Sequence, residues 1–195
     1  ALIAVDATSS MGGIELPWDE ADVWLASVQK CIGIPAGMGL LICSPKALAR
    51  AKELNRATHY NDVLFLEENR RMFQTQMTPN VLSIYLVYRL TQQLPSLSEV
   101  HLATLAKMKL WTDFWDNQPD FSYLIENPAL RLPTVLALTG NPEKIKQLHK
   151  ICLEKGIELG KGYGEWKENS FRIANFPSHT FEDIETLIQT IKNEL

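Results

Sequence analysis

Two short apolar runs near the start of this chain end in charges of opposite sign, and that pairing limits the possible folds more than any other feature. Leu2-Ile3-Ala4-Val5 stops at Asp6, and Val23-Trp24-Leu25-Ala26-Ser27-Val28-Gln29 stops at Lys30, with Gly33, Gly37 and Gly39 close behind. Runs this short, apolar and rich in branched residues read as buried strands of a parallel sheet. Ligands of such sheets sit beyond the carboxyl ends of the strands, so Asp6 and Lys30 are candidates for one site. Two strand-end charges facing solvent would produce the same spacing.

Pyridoxal phosphate would use this pair well. A lysine amine can hold the cofactor as a Schiff base, and a carboxylate facing the pyridine nitrogen keeps that nitrogen protonated. The ring then accepts the electrons released when a bond at the substrate's Cα breaks. Thr8, Ser9 and Ser10 follow Asp6. Their hydroxyls can reach a cofactor or satisfy nearby backbone, and Thr8 is the candidate ligand among them.

Val5-Asp6-Ala7-Thr8-Ser9-Ser10-Met11-Gly12-Gly13 and Ser27-Val28-Gln29-Lys30-Cys31-Ile32-Gly33-Ile34-Pro35-Ala36-Gly37 resemble the class V aminotransferases of the fold-type I pyridoxal phosphate superfamily. The Gln29-Lys30 pair and the Ile-Gly…Pro-Ala-Gly run are most similar to the phosphoserine aminotransferases. The resemblance implies that Asp6 pairs with the pyridine nitrogen, that Lys30 carries the Schiff base and that Gln29 lies beside the ring. Ile34 departs from it, standing between Gly33 and Pro35 where many relatives run Gly-Pro directly.

The chain has 195 residues, 46% hydrophobic, enough for a sizeable core. Its net charge of −4 gives no sign of a nucleic-acid or membrane surface. Cys31, Cys43 and Cys152 cannot all pair and show no metal spacing, which fits a reducing cytoplasm. No apolar run approaches the roughly 20 residues of a membrane span. The chain opens with Ala1 directly in a strand; with the resemblance, this is expected to be the C-terminal half of a longer enzyme.

Gly39 to Cys43 reads as a third strand, and Ser44-Pro45 as the cap and first position of a helix running to Leu54. Asn55 to Gln76 lacks clear periodicity and is expected to be irregular, with an extended piece at Val63-Leu64-Phe65-Leu66. Thr78 is expected to cap a helix starting at Pro79, with Val81, Leu82, Tyr85, Leu86 and Leu90 on its apolar side. The free amides of such a start suit a phosphate. The stretch also resembles the Thr-Pro-x-x-x-x-x-Tyr segment of phosphoserine aminotransferases, which implies that Thr78 reaches the cofactor phosphate of a neighbouring subunit in a homodimer. Met77 stands where those relatives often have Asn.

Ser96-Leu97-Ser98-Glu99 is a capping box for a long helix over Val100–Trp115, with Leu105, Met108, Lys109, Trp111 and Trp115 as its stripe. A domain boundary is expected near Asn117-Gln118-Pro119. The fold class is therefore α/β: residues 1–117 form the C-terminal part of a mainly parallel large-domain sheet with helices, and 118–195 a small α+β domain. The latter reads strand (Leu132–Leu138), helix from Asn141-Pro142 to Gly156 with Ile145, Leu148 and Ile151 inward, two extended pieces, and a last helix. Thr180 and Asp183 cap that helix, whose core face is Ile184, Leu187, Ile188 and Ile191. The Gly160, Gly162, Gly164 series lacks the helix start of a phosphate loop.

Arg172, between Phe171 and Ile173, leaves its strand on the face opposite theirs and needs an anionic partner, a structural carboxylate or a ligand. The resemblance implies that it clamps the substrate's α-carboxylate. It further implies a transaminase exchanging amino groups between glutamate and 3-phosphohydroxypyruvate in serine biosynthesis. An alanine–glyoxylate or serine–pyruvate type aminotransferase is the alternative within the fold. A cysteine desulfurase would need an active-site cysteine before Arg172, and none lies between Cys152 and the end. The reading from another class is a non-catalytic module that dimerises or binds a partner.

Overall fold

The structure, a computed structural model, describes residues 1–55 and 59–194. It divides into two compact units, Ala1–Met11 with Leu16–Leu94, and Gly12–Glu15 with Pro95–Leu195.

The first unit is built on a three-stranded sheet ordered β1 (Ala4–Asp6), β2 (Val23–Ser27), β3 (Gly39–Cys43). β1 and β2 run parallel with Asp6 opposite Leu25, while β3 returns antiparallel with Gly39 opposite Ser27. Trp24 and Ala26 are buried with Ala7 and Met11, but Leu25 on the opposite face of β2 is exposed. The alternation shows a sheet covered on one side, so the expectation of fully buried strands is corrected. β1 lies at the sheet edge, and Leu2 and Ile3 just before it are exposed as well. Asp22 anchors the approach to β2: its carboxylate accepts from the Ile3 amide, the Ser44 hydroxyl and the Lys46 ammonium.

Ser44 caps α1 (Pro45–Leu54), with proline in the first turn as expected. The extended piece predicted at Val63–Leu66 is instead the start of a helix, α2 (Val63–Arg71). Four apolar residues do not distinguish strand from helix. Here the Asp62 cap accepts from the Leu64 amide, and Glu67 pairs with Arg70 and Arg71 one turn on. Of the Asn55–Gln76 stretch, residues 56–58 lie outside the described residues. α3 (Val81–Thr91) begins two residues later than predicted. Its cap is Asn80, whose side chain accepts from the Ser83 amide, and Thr78 and Pro79 precede the helix.

The second unit has a four-stranded sheet ordered β4 (Phe121–Tyr123), β5 (Val135–Gly140), β7 (Ser170–Ala174), β6 (Gly160–Lys161), antiparallel at every pairing. β4 was not anticipated, and β5 starts later than Leu132. The capping box at Ser96 and Glu99 opens α4 (Leu97–Trp115). The buried side of α4 is Val100, Thr104, Lys107, Trp111, Phe114 and Trp115, whereas Leu105 and Lys109 of the predicted stripe face solvent. α5 (Pro142–Glu154) turns Ile145, Leu148 and Cys152 inward, with Cys152 rather than Ile151 in the core. α6 (Phe181–Glu194) buries the four residues predicted for it. Trp115, Phe121 and Phe171 meet edge to face at the centre of this core.

Candidate functional site

The parallel pairing of β1 and β2 brings both of their charged ends to one edge of the first unit. The Ala7 amide, just past Asp6, donates to the Leu25 carbonyl at 2.7 Å, which extends the pairing to the end of β1. The chain then turns tightly, with the amides of Ser10 and Met11 both donating to the Ala7 carbonyl, and Ala7 wholly buried. Asp6 remains exposed. Its carboxylate accepts from the Thr8 amide at 2.9 Å, and bonds from the Thr8 hydroxyl and amide hold its pKa below the ordinary carboxylate value.

Beyond β2, Val28 is fully buried and fixes the turn that carries Gln29 and Lys30. Its amide donates to Met38 and its carbonyl accepts from Ile34, while the Gly33 amide donates back to the Lys30 carbonyl. Gly33 has φ +78°, a conformation glycine adopts without strain. Ile34, the residue by which the sequence departs from its relatives, is buried inside this loop. Gln29 is exposed and Lys30 half-buried.

One contact joins the two turns directly. The Cys31 thiol, 5% exposed, donates to the Ser9 carbonyl at 3.3 Å. The structure therefore brings Asp6, Thr8 and the Gln29–Lys30 turn to one edge, and Cys31 serves as the tether between them. Nothing in the sequence pattern marks that role.

Thr78 lies exposed in the segment leading to α3. The loop following Lys30 runs beside that helix start, since a Cβ on Gly37 would sit 3.9 Å from the Asn80 amide nitrogen.

Arg172 belongs to the second unit and leaves β7 on the less buried side, between the buried Phe171 and Ile173. Its Nε donates to the Lys161 carbonyl at 2.8 Å, and its guanidinium lies 4.2 Å from the centre of the Tyr163 ring. Among the described residues no carboxylate pairs with it, so the structural ion pair is not formed. Tyr163 was missed from sequence; the glycine series around it was the signal, because such spacing suits a backbone running close against a neighbouring strand.

Among the described residues no cluster of His, Cys, Asp and Glu is arranged to hold a metal ion, and no helix is long and apolar enough to cross a membrane.

A family model for class V aminotransferases matches residues 1–167. A phosphoserine aminotransferase of Rhodococcus opacus (strain B4) is 29% identical over 203 residues, covering 98% of this chain and 53% of that protein. The solved phosphoserine aminotransferase of Cytophaga hutchinsonii matches with a TM-score of 0.89 at 33% identity, over 100% of this chain and 55% of that one. An alanine–glyoxylate aminotransferase from Nostoc sp. matches with a TM-score of 0.85 at 20% identity, over 99% of this chain and 53% of that one, a likeness of fold alone. The chain spans about half the length of the curated relatives it matches.

Proposed function

Because the chain belongs to the class V aminotransferases, we propose that it supplies the cofactor-holding lysine and the substrate-carboxylate clamp of a pyridoxal phosphate-dependent transaminase. The observation that carries this reading is the shared edge that bears both Asp6 and the Lys30 turn, the two turns being tied by the bond from Cys31 to Ser9.

The donor set fits the cofactor. An ionised carboxylate suits a protonated pyridine nitrogen, and Asp6 is held ionised by Thr8. A primary amine suits the cofactor's aldehyde, and Lys30 provides it. When bound, the cofactor supplies an electron sink for the bond broken at the substrate's Cα. Asp6 would keep the ring nitrogen charged, and Thr8 and Gln29 line the same edge. Lys30 would hold the group through its amine and, once freed by the substrate's amine, its Nζ would be the base that moves the Cα proton. Arg172 grips the α-carboxylate through the nitrogens that Lys161 leaves free. Thr78 would hold the phosphate of a cofactor bound to a second subunit, in a homodimer.

We infer phosphoserine and 2-oxoglutarate as the reacting pair, in serine biosynthesis in the cytoplasm. Support for this choice is the name shared by the relatives at 29% and 33% identity. The alanine–glyoxylate alternative has fold likeness behind it and no more.

The test is to mix the protein with pyridoxal phosphate, follow the absorbance of the adduct, reduce with borohydride and map the modified peptide. The expected result is one reduced adduct, on Lys30, absent in Lys30→Ala. Labelling spread over exposed lysines, or unchanged in Lys30→Ala, would overturn the reading and leave the non-catalytic module.

A further inference from the structure

Apart from the Lys161 carbonyl, the run Gly160-Lys161-Gly162-Tyr163-Gly164 has no role in the function proposed above, yet it is built against the one arginine that function needs. β6 pairs antiparallel with β7, with Gly160 opposite Arg172 and Lys161 opposite Phe171. A Cβ at Gly160 would come within 3.3 Å of the Arg172 Cβ, so the missing side chain lets the two backbones meet. At Gly162 a Cβ would run into the Ser170 hydroxyl and the Trp166 carbonyl. Gly164 has φ +55°.

Hydrogen bonds fix the backbone on both sides of Tyr163. The Gly162 amide donates to the Ser170 carbonyl at 3.2 Å, the Trp166 amide to the Tyr163 carbonyl at 3.0 Å, and the Ser170 hydroxyl to the Trp166 carbonyl at 2.6 Å. Tyr163 is 70% exposed, so burying its ring is not what this scaffold achieves. What it achieves is to put the face of the ring under the Arg172 guanidinium carbon while the Lys161 carbonyl takes Nε.

An arginine fork has two rotational freedoms that must be lost before it can meet a carboxylate with two parallel bonds. The Tyr163 ring under the guanidinium carbon and the bond from Nε to the Lys161 carbonyl restrict those motions from two sides. The outer edge of the fork is then presented ready-made, and no carboxylate among the described residues occupies it.

We propose that Tyr163 is a positioning residue that holds the Arg172 guanidinium, together with the Lys161 carbonyl, in the orientation that accepts a substrate carboxylate. The inference rests on the reading of Arg172 given above. It assigns the ring, and not the phenol hydroxyl, as the working part.

The experiment uses the chain labelled with 15N at arginine, with 2-oxoglutarate as the probe. The Arg172 Nε–Hε signal, assigned by its loss in Arg172→Lys, is followed during titration. Unsubstituted protein is expected to show a ring-shifted, slowly exchanging signal that moves with the carboxylate. Tyr163→Ala should lose the ring shift and weaken binding about two- to fivefold, the size of a solvent-exposed cation–π contact. Tyr163→Phe should keep both the shift and the affinity. A Tyr163→Ala affinity equal to that of the parent overturns the inference while sparing the role of Arg172. Equal losses in Tyr163→Phe and Tyr163→Ala would make the hydroxyl the working group and overturn it too. No movement of the Arg172 signal in unsubstituted protein overturns the carboxylate reading itself, and the positioning role with it.

Discussion

The ammonium of Lys107 lies 2.8 Å from the carbonyl oxygen of Phe176 although 69 residues separate the two. The same ammonium is 2.8 Å from the carbonyl of His179, and Lys107 is only 3% exposed. Three residues earlier on α4 the Thr104 carbonyl accepts from the buried side chain of Asn175. One face of α4 thus holds the exit of β7 by polar bonds. Burying an ammonium is tolerable only because several acceptors surround it.

Replacing Lys107 with Met keeps the length of the stem and removes the donors, leaving two carbonyls of the β7 exit without that partner. A loss of about 2–4 kcal/mol in unfolding free energy is expected from hydrogen bonds to a charged group of this kind. Urea denaturation reads it, and a midpoint matching the parent would refute the account.

Phe171 is wholly buried, with ring centres 5.7 Å from Trp115 and 5.6 Å from Phe121. Phe171→Ala opens a cavity at the centre of the second unit and should cost about 3–5 kcal/mol. Because Phe171 adjoins Arg172, the variant should also broaden the Arg172 side-chain signal in the NMR spectrum. A sharp, unshifted signal would show that β7 holds its shape without the aromatic cluster.

Glu67 carries the acid sensitivity of α2. Hydrogen bonds from Arg70 and Arg71, at 2.6 and 2.8 Å, hold its carboxyl at about 2 instead of 4.5. A depressed folded pKa stabilises at pH above the unfolded value, and that contribution is lost as the pH falls from about 4.5 towards 2. Both arginines are open to solvent, so salt should weaken the effect. Thermal melts between pH 2 and 5 are expected to show a slope that shrinks in Glu67→Gln and in high salt. A slope identical in the variant would assign it to other carboxylates.

Gly162→Ala tests the scaffold under Tyr163. The added methyl would collide with the Ser170 hydroxyl and the Trp166 carbonyl, so the backbone must shift. A loss of about 1–3 kcal/mol is expected, together with a changed Arg172 environment. Parental stability with an unmoved Arg172 signal would contradict the packing described here.

Elements specified by neighbouring residues were legible in the sequence. The Ser96–Glu99 box, the Ser44 cap and the core face of α6 are written within one or two helical turns. α2 was misread because Val63–Leu66 favours a strand taken alone, and only the Asp62 cap and the Glu67 pairs tip it to helix. Lys107 was unreadable because a lysine on a helix is ordinarily solvated, and its acceptors come from the far side of β7. Asp6 and Lys30 stood out because each ends an apolar run. The bond between Cys31 and Ser9 depends on the β1–β2 register, which no local pattern encodes. The ring beside Arg172 likewise follows from the pairing of β6 with β7.

Four residues near the start of the chain, Gly12–Glu15, group with the unit formed by the last half of the sequence. There the Glu15 amide donates to Nδ1 of His101 across 86 positions. A gene piece encoding Pro95 onwards would therefore deliver its protein with His101 stripped of that donor, however self-sufficient it looked on paper. Recombination between relatives at the Leu94–Pro95 junction would exchange most of this unit while leaving a short inherited patch from the other parent inside it.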